Sequence, residues 1–222
     1  MARGGLGTPS PYGTLCPCPC PCPCPCPCPC PRRHTMLRAM DELFPLVNEH
    51  GDVIGSARRS EAHGNPSLIH PVVHCLVVNA RGELLLQLRS MDKDVQPGRW
   101  DTSVGGHVAF GESIEHALAR ELLEEVGLQS IEPRFLYRYL MRSAIETELV
   151  HTFLCRSEGP FERQASEIDE LRFWTDEQIE RSLGTGTFTP NFEDEYARYK
   201  RHAGHGTGGV LAVDKGPERS PC

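Results

Sequence analysis

From Cys16 to Pro31 cysteine and proline alternate without interruption, "CPCPCPCPCPCPCPCP". Proline fixes φ and removes the backbone donor at every second position, so this tract can enter neither a helix nor a sheet ladder. Most of the chain's 11 cysteines lie here, yet a disulfide framework needs separated loops to close, and adjacent Cys-Pro units offer none. A period this perfect is compositional. One reading is a soft-metal-binding or redox tail. The preferred one is a translated six-base DNA repeat upstream of the true start, which would then be Met36 or Met40. The tract also lacks the apolar core of a signal peptide. Residues 1–35 are therefore expected to be a disordered low-complexity segment or a mis-assigned start. A folded domain is expected over 40–202, and a flexible Gly-rich tail over 203–222.

With the tract set aside, the remaining cysteines are Cys75, Cys155 and Cys222. So few in a domain of this size indicate a reducing cytoplasm. The formal charge is -7, and because residues 1–35 hold Arg3, Arg32 and Arg33 and no acid, removing them leaves -10 on the rest. Such a surface argues against a nucleic-acid polymer as partner. No apolar run approaches the roughly 20 residues of a membrane span.

"LFPLVNEHGDVIG" reads as two short strands around the turn Glu49–Asp52, and "HPVVHCLVVNARGELLLQLR" as a hairpin of Val72–Val78 and Leu84–Leu88 turning at Asn79–Gly82. Glu112–Val126 is a helix with an apolar stripe of Ile114, Ala117, Leu118 and Leu122, stopped by Gly127. Strands are expected around 134–141, 148–155 and "LRFW". Thr175 and Gln178 are spaced as a capping box, and a last helix starts near Pro190. The fold class is mixed α/β (α+β), one central helix among antiparallel strands.

The segment Gly106–Leu128, "GHVAFGESIEHALARELLEEVGL", carries the chemistry. Glu112 stands at the entrance to the helix, and Glu121, Glu124 and Glu125 share one side of it by their spacing. Carboxylates gathered this way repel, so a compensating positive charge is expected. Arg120 is one candidate. A divalent cation is the better one, since oxygen-rich sites suit Mg²⁺ or Mn²⁺ bound together with phosphates. The bland alternative is a solvated acidic face.

The pattern Gly106, Glu112, Arg120-Glu121-Leu122, Glu124-Glu125, Gly127-Leu128 matches the Nudix box at every position, and the chain resembles the Nudix superfamily. The resemblance implies a mixed β-sheet sandwiched between helices, with a loop-helix-loop motif that binds Mg²⁺ or Mn²⁺. Glu121, Glu124 and Glu125 would be the main metal ligands, Glu112 would assist, and Arg120 would orient the glutamates. The reaction implied is hydrolysis of a diphosphate linkage in a small molecule by metal-activated water.

A second resemblance runs from about Leu43 to Phe192, to the type 1 isopentenyl-diphosphate isomerases of the same superfamily. "EAHGNPSLIHPVV" supplies His63 and His70, "PGRWDTSVGGHV" supplies His107, and "ETEL" supplies Glu146 and Glu148. In those isomerases the corresponding residues form one metal site, and three imidazoles with two carboxylates suit Mn²⁺, Zn²⁺ or Fe²⁺. The isomerases move protons with a loop cysteine and a glutamate. Glu148 remains here, but Gly105 stands in the cysteine's place and carries no proton. Cys75 and Cys155, in strands, read as buried inert thiols. An intact box and a missing thiol favour a hydrolase, with isomerase and a non-catalytic metabolite-binding domain as alternatives.

Arg89, Lys93 and Arg99 flank the loop before Trp100 and, by the same resemblance, would meet substrate phosphates; a solvated loop is the even alternative. Trp100 is expected in the core, Tyr137 and Tyr139 near the site by analogy, and Glu167 and Glu170 at its edge as surface acids. His74 and His116 have no evident role.

Overall fold

The computed structural model describes residues 42–93 and 95–205. The Cys-Pro tract and the chain after His205 lie outside the described residues, so the expectations for 1–35 and for most of 203–222 fall there.

The first hairpin forms as its pattern suggests. β1 (Leu43–Val47) and β2 (Val53–Arg58) make a separate two-stranded antiparallel sheet. Their turn is organised by Asn48, whose side-chain oxygen accepts from the His50 and Asp52 amides. A single turn of helix, α1 (Arg59–Ala62), leads into β3 (Ile69–Val78).

The larger sheet contains β3, β4 (Leu84–Arg89), β5 (Trp100–Asp101), β6 (Val104–His107), β7 (Arg134–Arg142), β8 (Thr147–Arg156) and β9 (Ile168–Trp174). Its order is β5-β4-β3-β8-β7, with β6 beside β3 and β9 beside β4. Two expectations are corrected here. β3 and β4 are not a continuous hairpin, because they pair only at Val78 and Leu84. Beyond that point β6 takes the edge of β3, and β4 turns away to β9 and β5. Nor are all strands antiparallel: β3 runs parallel to β8 along its whole length. A strand buried on both faces has no polar alternation, so its pattern does not report the direction of its neighbour.

α2 (Ile114–Val126) covers one face of the sheet, packing Ala117, Leu118, Leu122 and Val126 onto Val73, Cys75, Val77 and Val104. α4 (Pro190–His205) covers the other, where Phe192 and Tyr196 join Leu76, Leu86 and Trp100. α3 (Asp176–Ser182) begins with the Thr175–Gln178 capping box. The result is the expected mixed sheet between helices. Trp100 is in the core, edge-on to Trp174 at 5.2 Å. Cys75 and Cys155 are buried free thiols. α4 continues past the boundary expected at 202. Among the described residues no helix is long and apolar enough to cross a membrane.

α2 starts at Ile114, two residues later than its sequence pattern suggests. Ser113 is extended and its hydroxyl accepts from the His116 amide at 3.2 Å, so the serine caps the helix. Glu112 is left in the loop. At the far end Gly127 adopts φ 72° and the Leu128 amide reaches back to the Leu122 carbonyl, which closes the helix.

Candidate active site

Arg120 is the centre of the carboxylate cluster. Its Nε and Nη2 grip the two oxygens of Glu112 at 3.0 Å each, and Nη1 donates to Glu121 at 2.6 Å and to Glu124 at 3.3 Å. Nη2 also donates to the His107 carbonyl at 2.9 Å, which ties α2 to β6. Glu112 accepts from the Ala109 amide as well. Burial opposes its charge, but Arg120 and that amide outweigh it and hold its pKa below the usual range. In this arrangement Glu112 secures the loop and the arginine.

Glu121 and Glu125 face the opposite balance. Burial, only partly offset by Arg120, lifts Glu121 to about 7. Burial and the neighbouring Glu121 charge lift Glu125 to about 8, although its carboxylate accepts from the Gly105 amide at 3.0 Å. Glu124 is exposed. Two buried acids that one arginine cannot neutralise are what a divalent cation would relieve.

β6 separates this cluster from a second one. Successive residues of a strand face opposite ways. Gly106 faces α2, where an added Cβ would fall on the Glu121 carboxyl; the glycine is needed for that close approach. His107 turns to the other face, where it meets His63 and His70. The imidazole donors of these three lie within 4.8 Å of one another, and His70 makes a similar group with Glu146 and Glu148. His70 is fully buried with neither ring nitrogen hydrogen-bonded, and Glu146 Oε2 is likewise orphaned. Orphaned imidazole and carboxylate donors converging on one point fit a cation.

The charge state of the histidines agrees. Burial, then the Arg59 guanidinium, lowers His63 to about 4, and burial, His63 and Arg59 lower His70 to about 4. Burial and Arg59 push His107 well down too. Arg59 Nη1 lies 3.2 Å from His107 Nδ1, and since a guanidinium only donates, that nitrogen accepts. Phe44 stacks on His107 at 4.5 Å and fixes the ring. Burial and Glu146 raise Glu148 to about 7.

The basic residues of the loop are less concentrated. Lys93 ion-pairs with Glu167 at 2.8 Å and, through it, borders Glu121 and Glu125. Arg89 is paired with Asp101 at 3.3 Å, and Arg99 donates to the Phe188 carbonyl. Tyr137 and Tyr139 do not meet the carboxylate cluster. They donate to Glu195 of α4, at 2.8 and 2.6 Å, alongside Thr152 at 2.9 Å and His74 Nδ1 at 2.8 Å. His74, Glu195 and Arg59 were not singled out by the sequence as site residues. His74 was open to detection: it lies four residues from His70 in a strand and therefore shares its face.

A model of the NUDIX domain matches residues 68–192, more than half of the chain. The chain belongs to the Nudix family. This Nudix chain is 31% identical over 171 residues to an uncharacterized Nudix hydrolase of Streptomyces coelicolor, covering 76% of itself and 94% of that protein. It is 28% identical over 160 residues to isopentenyl-diphosphate Delta-isomerase 1 of Photorhabdus laumondii, covering 68% of itself and 91% of the isomerase. A crystal structure from Deinococcus radiodurans superposes with a TM-score of 0.63 at 25% identity, over 71% of this chain and 98% of that one. A MutT protein from Methanosarcina mazei does so with a TM-score of 0.53 at 26% identity, over 63% and 96% of the two chains. Relatives of both kinds agree with the isomerase-like branch of the Nudix family that the motifs indicated.

Proposed function

We propose that this Nudix chain hydrolyses a diphosphate linkage in a small molecule, with Mg²⁺ or Mn²⁺ held by Glu121, Glu124 and Glu125. The observation that carries the reading is the complete carboxylate set around Arg120 beside a loop whose proton-transfer position is Gly105. Bound there, the cation supplies Lewis acidity that lowers the pKa of water and offsets phosphoryl charge. The chain's own part is positional. Arg120 holds Glu121 and Glu124, the Gly105 amide holds Glu125, and Glu112 anchors Arg120 to the loop. Lys93 would have to leave Glu167 to meet a phosphate, as Arg89 and Arg99 would have to leave Asp101 and the Phe188 carbonyl. The donor set of His63, His70, His107, Glu146 and Glu148 fits a second, transition-metal ion.

Retention of that second donor set is the observation that favours the other reading, isopentenyl-diphosphate isomerase. It lacks a proton carrier at Gly105, and both thiols at hand, Cys75 and Cys155, are buried under α2. The deciding experiment is a hydrolysis screen over diphosphate compounds with Mg²⁺ or Mn²⁺, run beside Glu124→Gln and an assay of deuterium exchange from D₂O into isopentenyl diphosphate. Phosphate or monophosphate release by the wild type, lost in Glu124→Gln, supports the hydrolase. Exchange without hydrolysis replaces it by the isomerase, and neither activity leaves a binding domain.

A further inference from the structure

Gly105 and His74 are direct partners across β6 and β3. A Cβ built on Gly105 would stand 3.2 Å from Cδ2 and 3.5 Å from Nε2 of the His74 ring. The space without a side chain at 105 is thus bordered by an imidazole from the adjacent strand. His74 is held from behind: Nδ1 lies 2.8 Å from Glu195, a carboxylate with no exposure that also accepts from Tyr137, Tyr139 and Thr152. A carboxylate with three hydroxyl donors is ionised and acceptor-only, so Nδ1 carries its proton. Among the described residues Nε2 has no hydrogen-bond partner, and the side chain keeps 12% of its exposure.

We propose that His74, fixed by Glu195, selects the organic group attached to the substrate diphosphate: a group that can hydrogen-bond to Nε2 is taken, and a hydrocarbon is refused. This rests on the diphosphate reading above. The position is suitable, since Gly105 donates its amide to Glu125 on one side and adjoins His107 of the histidine cluster on the other. Burial would lower the pKa of His74, but the hydrogen bond and charge of Glu195 outweigh it and hold it above the ordinary value. With Nδ1 turned to Glu195, Nε2 is the polar atom left facing the space at Gly105. A hydrocarbon seated there strips water from that nitrogen and returns nothing, which is costly, whereas a group able to hydrogen-bond restores the contact. Discrimination of this kind is larger than that of a missing methylene. Gly105 then has a function of its own, leaving His74 uncovered.

The test is calorimetric binding of ADP and of dimethylallyl diphosphate to the full chain with Mg²⁺, one probe polar and one hydrocarbon on the same diphosphate. The wild type should prefer ADP, and His74→Leu should reduce that preference by about tenfold or more. His74→Gln, which keeps a donor, should retain most of it. Gly105→Ala, whose methyl covers the ring, should act like His74→Leu and serves if that variant does not fold. Thr175→Ala removes the α3 cap and takes no part in the Glu195 network, so it should lower the melting temperature and leave the preference unchanged. A preference that His74→Leu and Gly105→Ala do not move, one that Thr175→Ala moves equally, or a wild type that prefers dimethylallyl diphosphate overturns the inference alone. A wild type that binds neither probe overturns the diphosphate reading with it.

Discussion

Raising the pH above about 6.5 without divalent metal should destabilise this fold, and the structure sets the size of the loss. Glu121, Glu125 and Glu148 have folded pKa values of about 7, 8 and 7 against an ordinary 4.5. A carboxyl raised on folding contributes stability that is complete below its unfolded pKa and is lost as pH rises through its folded one. Each pH unit inside that window costs about 1.4 kcal/mol per group. From about pH 6.5 to 8 Glu125 loses about 2 kcal/mol, and Glu121 and Glu148 lose somewhat under 1 kcal/mol each before they are ionised. These losses sum to about 3 kcal/mol. His63 and His70, lowered to about 4, and His107, pushed well down, act in the other direction. At pH 6.5 half of each unfolded imidazole is still protonated, so together they return about 1 kcal/mol above it. The net loss of about 2 kcal/mol lowers the melting temperature of a domain this size by about 4 to 8 °C. His74, raised by Glu195, loses stability in the same direction as the acids, so the comparison is with Glu125→Gln, which removes the Glu125 share together with its repulsion of Glu121. The assay is thermal unfolding in EDTA across this range, repeated with saturating Mg²⁺. The metal should flatten the profile, and Glu125→Gln should reduce its slope by more than half. A flat profile in EDTA, or a slope unchanged in Glu125→Gln, would refute the reasoning.

Gly106→Ala should fold and yet lose hydrolysis by about 100-fold, because its methyl displaces the Glu121 carboxyl by more than an ångström; turnover and circular dichroism measured together check this. Arg120→Lys keeps a charge but not the fork that spans Glu112 and Glu121, so Mn²⁺ affinity read by calorimetry should fall about tenfold or more. Ser113→Ala removes the α2 cap and should cost about 1 kcal/mol in denaturant unfolding, with metal affinity preserved.

The box was legible because its spacing is the spacing of a helix. Residues three and four apart converge whatever the rest of the chain does, so Arg120, Glu121 and Glu124 meet in the structure as their numbers suggest. Five residues of the second cluster could be named only by resemblance, since His63, His107 and Glu146 come from three segments and no local periodicity relates them. Strand direction was hidden for a different reason. β3 is buried on both faces, and the alternation that would mark one exposed face is absent. The start of α2 was misplaced by two residues because Glu112 and Ser113 are both plausible at a helix entrance, and only the hydroxyl-to-His116 bond decides between them. No local pattern marks His74, because its partner, Glu195, lies 121 positions away on the final helix. The sequence shows Gly105 only as a missing thiol, and the cross-strand register shows what stands beside it.

Arg120 has a property that bears on how the site meets an anion. A guanidinium owns five N–H groups. Here Nε serves Glu112, Nη1 serves Glu121 and Glu124, and Nη2 serves Glu112 and the His107 carbonyl. Every donor is committed within the protein. The most basic group at the centre of the cluster is therefore closed to phosphate, and a ligand that recruited it would dismantle the carboxylate frame. Inhibitors aimed at this arginine should act by disorganising the site, with slow onset and loss of metal, whereas those that mimic substrate must find their positive charge elsewhere.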